Sequence, residues 1–141
     1  MSEKTVNILL VEDDEVDVMG VRRAFQKMRI ANPIRVAHNG IEGLAILRGE
    51  GGREPMPRPF LILLDLNMPR MNGIEFLTEL RADPELKGCI VFVLTTSKDQ
   101  EDLVAAYDLN VAGYIVKSTI SRDFLNLVDM LDHYWKVIEF P

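Results

Sequence analysis

The stretch that decides the fold is Leu61-Ile62-Leu63-Leu64-Asp65-Leu66-Asn67-Met68-Pro69, in which an aliphatic run ends in a carboxylate. A run of this kind is typical of a parallel strand that is buried on both faces. Pro69 cannot donate a hydrogen bond to a neighbouring strand, so the strand must end before it. Ligands of open α/β sheets bind at the carboxyl ends of the strands, where this pattern predicts Asp65 to lie. The alternative is an aspartate that only caps the next turn.

Apolar strand patterns alternate with helical patterns along the rest of the chain. Strands are predicted at residues 6–11, 34–37, 60–64, 90–94 and 114–116, and helices at about 15–30, 41–48, 72–82, 98–109 and 121–138. The glycine- and proline-rich segment 49–59 predicts a mobile connecting loop. This alternation predicts an α/β fold, a (βα)5 doubly wound parallel sheet covered on both faces. Among the permitted strand orders, the flavodoxin-like order 2-1-3-4-5 would place strands one and three side by side.

Length and composition fit one globular domain over residues 1–141, with 48% hydrophobic residues and a formal net charge of -6. The acidic balance argues against nucleic acid or an anionic membrane as the main partner, and no apolar run is long enough to span a membrane. The polar start of the chain lacks the pattern of a signal peptide. The single cysteine, Cys89, favours a reducing cytoplasm and is expected to pack at the start of a strand. His38 and His133 are expected at the surface.

Acidic residues follow two of the predicted strands. Glu12 and Asp13 come after the first strand and Asp65 ends the third, so the three side chains converge if these strands are neighbours. Two carboxylates about 4 Å apart repel by roughly 4 kcal/mol at an effective dielectric constant of 20, so the cluster needs a cation or a proton. Mg²⁺ fits best, because it binds one or two carboxylates, keeps several waters and accepts phosphoryl oxygens. Acids after the first strand could instead cap the following helix, as Asp14 or Glu15 could.

Two further polar side chains are predicted at the same edge of the sheet. Thr95 ends the fourth strand and Lys117 ends the fifth. Phosphoryl transfer needs these parts, because a cation and a lysine neutralise the phosphoryl oxygens while a carboxylate attacks in line. Alone, Lys117 could be a solvated lysine and Thr95 a strand-end residue that bonds to the backbone. Their coincidence at one edge with the acids favours a joint role.

The sequence resembles the receiver domain of two-component response regulators over nearly its whole length. The matching positions, in chain order, are the acidic pair Glu12-Asp13, the phosphoacceptor Asp65, the following Asn67-Met68-Pro69, the switch hydroxyl Thr95, the switch aromatic Tyr114 and Lys117. In such receivers a sensor histidine kinase supplies phosphohistidine, and the aspartate accepts the phosphoryl group in a Mg²⁺-dependent reaction. The resemblance implies a stand-alone phosphoacceptor that catalyses its own phosphorylation and slow autodephosphorylation, and not an enzyme that acts on other substrates.

The same resemblance implies a ligand set for the metal. Asp13 and Asp65 would ligate Mg²⁺ through their side chains, Asn67 through its backbone carbonyl and Glu12 through water. These assignments follow from the family pattern and not from the spacing of the residues.

The resemblance also implies a switch and reveals one departure. Thr95 would move toward the phosphoryl oxygen and Tyr114 would swing inward, changing the surface formed by helix four, strand five and helix five. The family usually has a cis proline after the lysine, whereas this chain has Ser118, where a cis bond would cost about 3 to 4 kcal/mol. The reach of Lys117 therefore depends on the path of this loop. Thr96 occupies a position that controls access to the phosphoryl group in many receivers.

The last predicted helix is apolar over more of its surface than a core-facing helix needs. The sheet can absorb one stripe, formed by Phe124, Val128, Leu131, Trp135 and Ile138. Leu127, Met130, Tyr134 and Val137 extend the apolar surface beyond this stripe. The excess predicts a homodimer through Met130, Tyr134 and Val137, with Trp135 of the stripe also in the interface, unless the tail 139–141 folds back over it. The loop 49–59 and the aromatic tail resemble small receivers that work with bacterial phytochrome-type sensor kinases, which implies a light-sensing kinase as partner.

Other functions of the same fold fit the residues less well. A haloacid-dehalogenase-type phosphatase also uses a strand-end aspartate, but its second acid, two residues on, is replaced here by Asn67. A flavodoxin-like FMN carrier would bind phosphate after strand one, where Glu12-Asp13-Asp14 would repel it. The glycine-rich Lys-Ser/Thr segment of a P-loop enzyme is missing. A degenerate receiver that binds partners without being phosphorylated is the rival that Ser118 supports.

Overall fold

Five parallel strands form the centre of the structure, a computed structural model that describes residues 6–27, 29–95, 100–116 and 133. The strands are β1 (Asn7–Val11), β2 (Ile34–Ala37), β3 (Phe60–Asp65), β4 (Ile90–Thr95) and β5 (Gly113–Val116). They pair within one sheet in the order β2-β1-β3-β4-β5. The predicted doubly wound α/β fold with the flavodoxin-like order 2-1-3-4-5 is confirmed, and β1 and β3 are neighbours.

Helices connect consecutive strands throughout the described part of the chain. They are α1 (Glu15–Lys27), α2 (Gly40–Arg48), α3 (Gly73–Ala82) and α4 (Gln100–Asp108). Asn39 caps α2 by accepting a hydrogen bond from the N–H of Glu42 at 2.8 Å, and Asn72 caps α3 in a reciprocal capping box with Glu75. These polar side chains satisfy N–H groups that the first helical turn leaves without a partner. Both helices begin within one residue of their predicted starts.

The end of α1 and the last predicted helix differ from the expectation or lie beyond it. Helix α1 ends at Lys27 and not near residue 30, because Arg29 adopts a left-handed conformation with φ 56°. The N–H of Ile30 then donates to the carbonyl of Phe25 at 2.9 Å, which closes the helix in a Schellman motif. The predicted helix 121–138 lies outside the described residues, apart from residue 133. No described helix combines the length and apolar character that a bilayer span requires.

The sheet is buried on both faces, and every residue of β3 is buried. One face packs against α2, α3 and α4 through Leu9, Val11, Ile62 and Leu64. The opposite face packs against α1 through Ile8, Leu10, Leu61 and Leu63. Because successive strand residues point to opposite faces, a strand covered on both sides must be apolar at every position. This explains why the run at 61–64 is continuous and not alternating.

The loop 49–59 forms neither helix nor strand, as predicted, but it is anchored to the fold at several points. Met56 is buried in the core, and the guanidinium of Arg35 donates to the carbonyl of Glu54 at 2.7 Å. The side-chain amide of Asn7 donates to the carbonyl of Pro57 at 3.1 Å. These contacts hold the loop against the amino-terminal ends of β1 and β2.

The cysteine and the histidines have the structural and surface roles that the sequence predicts. Cys89 is buried immediately before β4, and burial raises the pKa of its thiol, so the side chain stays protonated at neutral pH. His38 is exposed, with its ring nitrogens 3.2 Å from a carboxylate oxygen of Glu15 and 3.5 Å from one of Glu42. His133 is exposed as well.

Arg81 connects three segments at the edge of the sheet opposite to Asp65. Its guanidinium donates to the carbonyls of Lys87 at 2.8 Å and Cys89 at 2.7 Å, before β4, and to those of Leu109 at 2.8 Å and Asn110 at 3.0 Å, after α4. The planar, forked guanidinium can supply four such bonds at once, whereas an ammonium group has three donors at a single point. Helix α3 is thereby tied to the start of β4 and to the end of α4.

Replacing this guanidinium tests its contribution to stability. Arg81→Lys keeps the charge but leaves carbonyls without a donor, so we expect the free energy of unfolding to fall by about 1–3 kcal/mol in urea denaturation. Arg23→Lys makes the same change at an exposed position of α1 and is expected to stay within about 0.5 kcal/mol of the native value. Equal stability of the two variants would contradict the structural role of Arg81.

Candidate functional site

The carboxyl ends of β1 and β3 lie side by side because the two strands pair in parallel. Val11 is opposite Leu64 in the register, so the residues that follow them, Glu12 and Asp65, emerge at the same edge. The N–H of Glu12 donates to the carbonyl of Ala37 at 2.8 Å, which ties the end of β1 to β2. Both backbones are thus held by the sheet up to the point where the acids begin.

Three of the predicted site residues come together at this edge. Glu12, Asp13 and Asp65 each offer a carboxylate oxygen, and these oxygens lie within 4.8 Å of one another. Glu12 and Asp65 are 1% and 3% exposed, whereas Asp13 is exposed. Carboxylates this close repel one another strongly, and burial of two of them removes the water that would screen the repulsion. An all-oxygen donor set of this kind is suited to a hard divalent cation.

Backbone N–H groups orient the two buried carboxylates. The N–H of Asp14 donates to Glu12 Oε1 at 3.2 Å, and the N–H of Asn67 donates to Asp65 Oδ1 at 3.2 Å. Asp14 has the capping role that the sequence allows for it, since its Oδ1 accepts from the N–H of Val16 at 2.8 Å. Of the acidic residues after β1, Glu12 and Asp13 therefore belong to the cluster, whereas Asp14 caps the start of α1.

The β3–α3 loop, residues 66–72, is pressed closely against the start of α3. The N–H of Gly73 donates to the carbonyl of Leu66 at 3.0 Å. A Cβ at Gly73 would lie 2.6 Å from Leu66 Cα and 2.7 Å from the carbonyl oxygen of Asp65, closer than real side chains come. Only glycine therefore allows α3 to begin against the backbone of Asp65. The sequence predicts Gly73 as part of a helix start, but it carries no local signal of this steric role.

Two consecutive residues of the β3–α3 loop have left-handed backbone conformations. Arg70 has φ 54° and Met71 has φ 82°, and neither is glycine. Each such residue costs about 1–2 kcal/mol, so the surrounding structure must hold the loop in this shape. The sequence gives no local indication of the conformation, because neither arginine nor methionine favours it. Leu66 and Met68, both buried, anchor the first half of the same loop.

The remaining predicted site residues are placed only in part. Thr95 is the last residue of β4, the strand next to β3, and pairs with Val116 of β5. Tyr114 lies in β5 opposite Val93. Asn67 follows Asp65 by two residues and is exposed. The other predicted positions, namely Thr96, Lys117, Ser118, Met130, Tyr134, Trp135 and Val137, lie outside the described residues.

A family model agrees with this combination of a five-stranded sheet and an acidic cluster at its carboxyl edge. The model of the response regulator receiver domain matches residues 8–129. The chain therefore belongs to the response regulator receiver family, whose members are signalling proteins.

Individual relatives extend over almost the whole chain. Response regulator Rcp1 of Synechocystis sp. is 38% identical over 128 residues, which cover 91% of this chain and 87% of that protein. The crystal structure of the phosphorylated cyanobacterial phytochrome response regulator RcpA matches with a TM-score of 0.86 and 35% identity over 98% of this chain and 99% of the other. The Mn²⁺-bound form of Rcp1 matches with a TM-score of 0.83 and 36% identity over 96% and 99% of the two chains. The chain is thus a receiver related to phytochrome response regulators.

Asp13→Asn tests the acidic cluster as a divalent metal site. Removing one carboxylate from the cluster is expected to weaken Mg²⁺ binding about tenfold or more, measured by isothermal titration calorimetry at fixed ionic strength. Asp14→Asn is a matched control, because it removes the same charge from the next residue and asparagine caps a helix as well as aspartate does. We expect this control to stay within about threefold of the native affinity. Equal losses in both variants would show only a general charge effect and contradict the site.

Proposed function

We propose that this receiver accepts a phosphoryl group on Asp65 from the phosphohistidine of a sensor histidine kinase, in a reaction that requires Mg²⁺. The observation that carries the proposal is the convergence of Glu12, Asp13 and Asp65, with their oxygens within 4.8 Å of one another. A metal centre beside a nucleophilic carboxylate is what phosphoryl transfer to aspartate needs. Membership of the receiver family and the phosphorylated form of the relative RcpA support the same reaction.

The metal would be held by the acids of the cluster. Asp13 and Asp65 are the proposed side-chain ligands, Asn67 contributes its backbone carbonyl, and Glu12 acts through water. Bound Mg²⁺ supplies positive charge that offsets the charge on the transferring phosphoryl oxygens. The carboxylate chemistry of the cluster fits this ion, and the relative Rcp1 has a form that binds the divalent cation Mn²⁺.

Asp65 is the nucleophile of the proposed reaction. The Asn67 N–H bond to Oδ1 limits rotation of its carboxylate, so that the group is oriented before the donor arrives. A carboxylate oxygen attacks phosphorus in line, and the bond between phosphorus and the imidazole nitrogen of the donor breaks. The imidazole leaves with that electron pair, and the product is an acyl phosphate on Asp65. In this scheme the receiver catalyses its own phosphorylation. Water then slowly hydrolyses the acyl phosphate, which releases inorganic phosphate and returns the Asp65 carboxylate.

Phosphorylation would be communicated through the surface formed by α4, β5 and the predicted last helix. Lys117 is the proposed partner of a phosphoryl oxygen, Thr95 the hydroxyl that approaches it, and Tyr114 the aromatic side chain that follows. The position of Thr95 at the end of β4, next to Asp65 and β3, supports its part in this scheme.

The proposed receiver works with a sensor kinase in the cytoplasm and forms a homodimer. The kinase partner is of the phytochrome type, which is supported by the similarity to a cyanobacterial phytochrome response regulator. Residues 1–141 act as one receiver domain that forms a homodimer through Met130, Tyr134, Trp135 and Val137. The single cysteine, together with the kinase partner, supports a cytoplasmic setting. The net charge of -6 favours output through protein contacts and not through nucleic acid.

Asp65→Asn tests the phosphoacceptor directly. With Mg²⁺ and a small phosphodonor such as acetyl phosphate, we expect the native protein to gain one acid-labile phosphoryl group per chain by intact-mass spectrometry. Asp65→Asn should gain none, because an amide cannot attack as a carboxylate does. Asp108→Asn, at an exposed position of α4, makes the same chemical change and is expected to be labelled like the native protein.

Two results would overturn the assignment, and they differ in meaning. Unchanged labelling of Asp65→Asn would place the phosphoryl group on another residue. A native protein that takes up no phosphoryl group, while it still binds a kinase, would favour the degenerate receiver that acts without phosphorylation.

Trp135→Ala tests the proposed dimer. The loss of a large apolar side chain from the interface is expected to weaken self-association about tenfold or more, measured by sedimentation velocity. Val16→Ala removes apolar surface from the exposed face of α1 and is expected to leave association unchanged. Native protein that sediments as a monomer at tens of micromolar would remove the basis of this prediction.

A further inference from the structure

Gly40, the first residue of α2, lies directly against Met71 of the β3–α3 loop. A Cβ at Gly40 would lie 2.8 Å from Met71 Cγ, 2.9 Å from its carbonyl oxygen and 3.0 Å from its Sδ. Gly40 does not belong to the left-handed glycines of the described chain, so the conformation of α2 does not require glycine here. The space that Met71 occupies requires it.

The other side of Met71 is held by the hydrophobic core. Its side chain is half-buried and packs against the core cluster that includes Leu64 and Phe76. Met71 and Arg70 both have left-handed φ angles, which non-glycine residues adopt only when their surroundings impose them. Contact with Gly40 and with the core therefore fixes the loop in a shape that it would not adopt alone.

The β3–α3 loop has little freedom to move between Met71 and Asp65. Two residues after Met71, Gly73 donates its N–H to the carbonyl of Leu66 and lies against the carbonyl of Asp65. The loop that closes in this way also carries the Asn67 N–H that orients Asp65 Oδ1. A displacement of Met71 is therefore transmitted to both the backbone and the carboxylate of Asp65.

We infer that Gly40 and Met71 are positioning residues for phosphoryl transfer: the start of α2 sets the shape of the β3–α3 loop and thereby aims the Asp65 carboxylate. This inference rests on the proposed function and names two residues outside the acidic cluster of Glu12, Asp13 and Asp65. A methyl group at Gly40 would push Met71 and turn the carboxylate away from the line of attack.

A double-mutant cycle tests the inference with Gly40→Ala, Met71→Gly and the combined variant. The readout is the rate of phosphorylation by acetyl phosphate at saturating Mg²⁺, followed by intact-mass spectrometry. We expect Gly40→Ala to slow the reaction about tenfold in the native background and less than about twofold in the Met71→Gly background. Glycine at position 71 has no side chain to meet the new methyl group. Its freer backbone also allows the carbonyl oxygen of residue 71, which would lie 2.9 Å from that methyl group, to move away.

Controls separate positioning from loss of stability. All variants are compared at a temperature where circular dichroism shows them folded, so that the rates refer to native protein. Gly20→Ala is the matched control, since a Cβ at that position of α1 meets no atom of another part of the described chain within 4 Å. Its rate is expected within about twofold of the native rate. A merely structural role of Gly40 would lower the stability of Gly40→Ala but leave the phosphorylation rate of the folded variant at the native value.

Each further outcome decides the inference. Additive effects of the two substitutions, or a native rate in folded Gly40→Ala, would overturn the inference. The proposed function would still stand in either case if Asp65 of the native protein is labelled. If Gly40→Ala fails to fold, Met71→Gly alone decides: a several-fold slower reaction supports the inference and a native rate overturns it. A native protein that is never labelled would refute the proposed function and this inference together.

Discussion

The parallel pairing of β1 with β3 holds the carboxylates of Glu12, Asp13 and Asp65 together against their mutual repulsion, and the site depends on this constraint. Oxygens held within 4.8 Å of one another would separate if their backbones were free to move. The parallel pairing of β1 with β3, and the apolar layers on both faces of the sheet, prevent that movement. The core thus holds the acids in an arrangement that only a cation or a proton makes favourable, which turns an electrostatic cost into affinity for a ligand.

Most of the fold follows from the sequence because its strand signals are strong. The continuous aliphatic run at 61–64 is typical of a strand covered on both sides, and Asn72-Gly73 marks the start of α3. The predicted end of α1 was wrong by about three residues. The helix ends before Arg29, whose backbone is left-handed, and only a glycine at that position would have indicated a helix end in the sequence. The anchoring of the loop 49–59 depends on contacts with distant residues, which no local pattern reports.

The site was predictable to the extent that its residues stand at strand ends. Glu12, Asp13 and Asp65 each follow an apolar run, so a correct strand order is enough to bring them together. The supporting residues were missed for a physical reason. Gly40 and Gly73 matter because of atoms that lie against them, and such close approaches depend on how α2 and α3 pack, which the sequence does not encode locally.

The four hydrogen bonds of Arg81 have a consequence for how this protein can change over time. They lie at the amino-terminal edge of the sheet, as do the anchors of the loop 49–59, while the acids lie at the opposite edge. Contacts that stabilise the fold therefore lie at one end of the strands, and the acidic residues of the site lie at the other end. Substitutions that raise the stability of the amino-terminal ends of the strands can therefore arise in evolution or by design without changing the acidic cluster at the carboxyl ends.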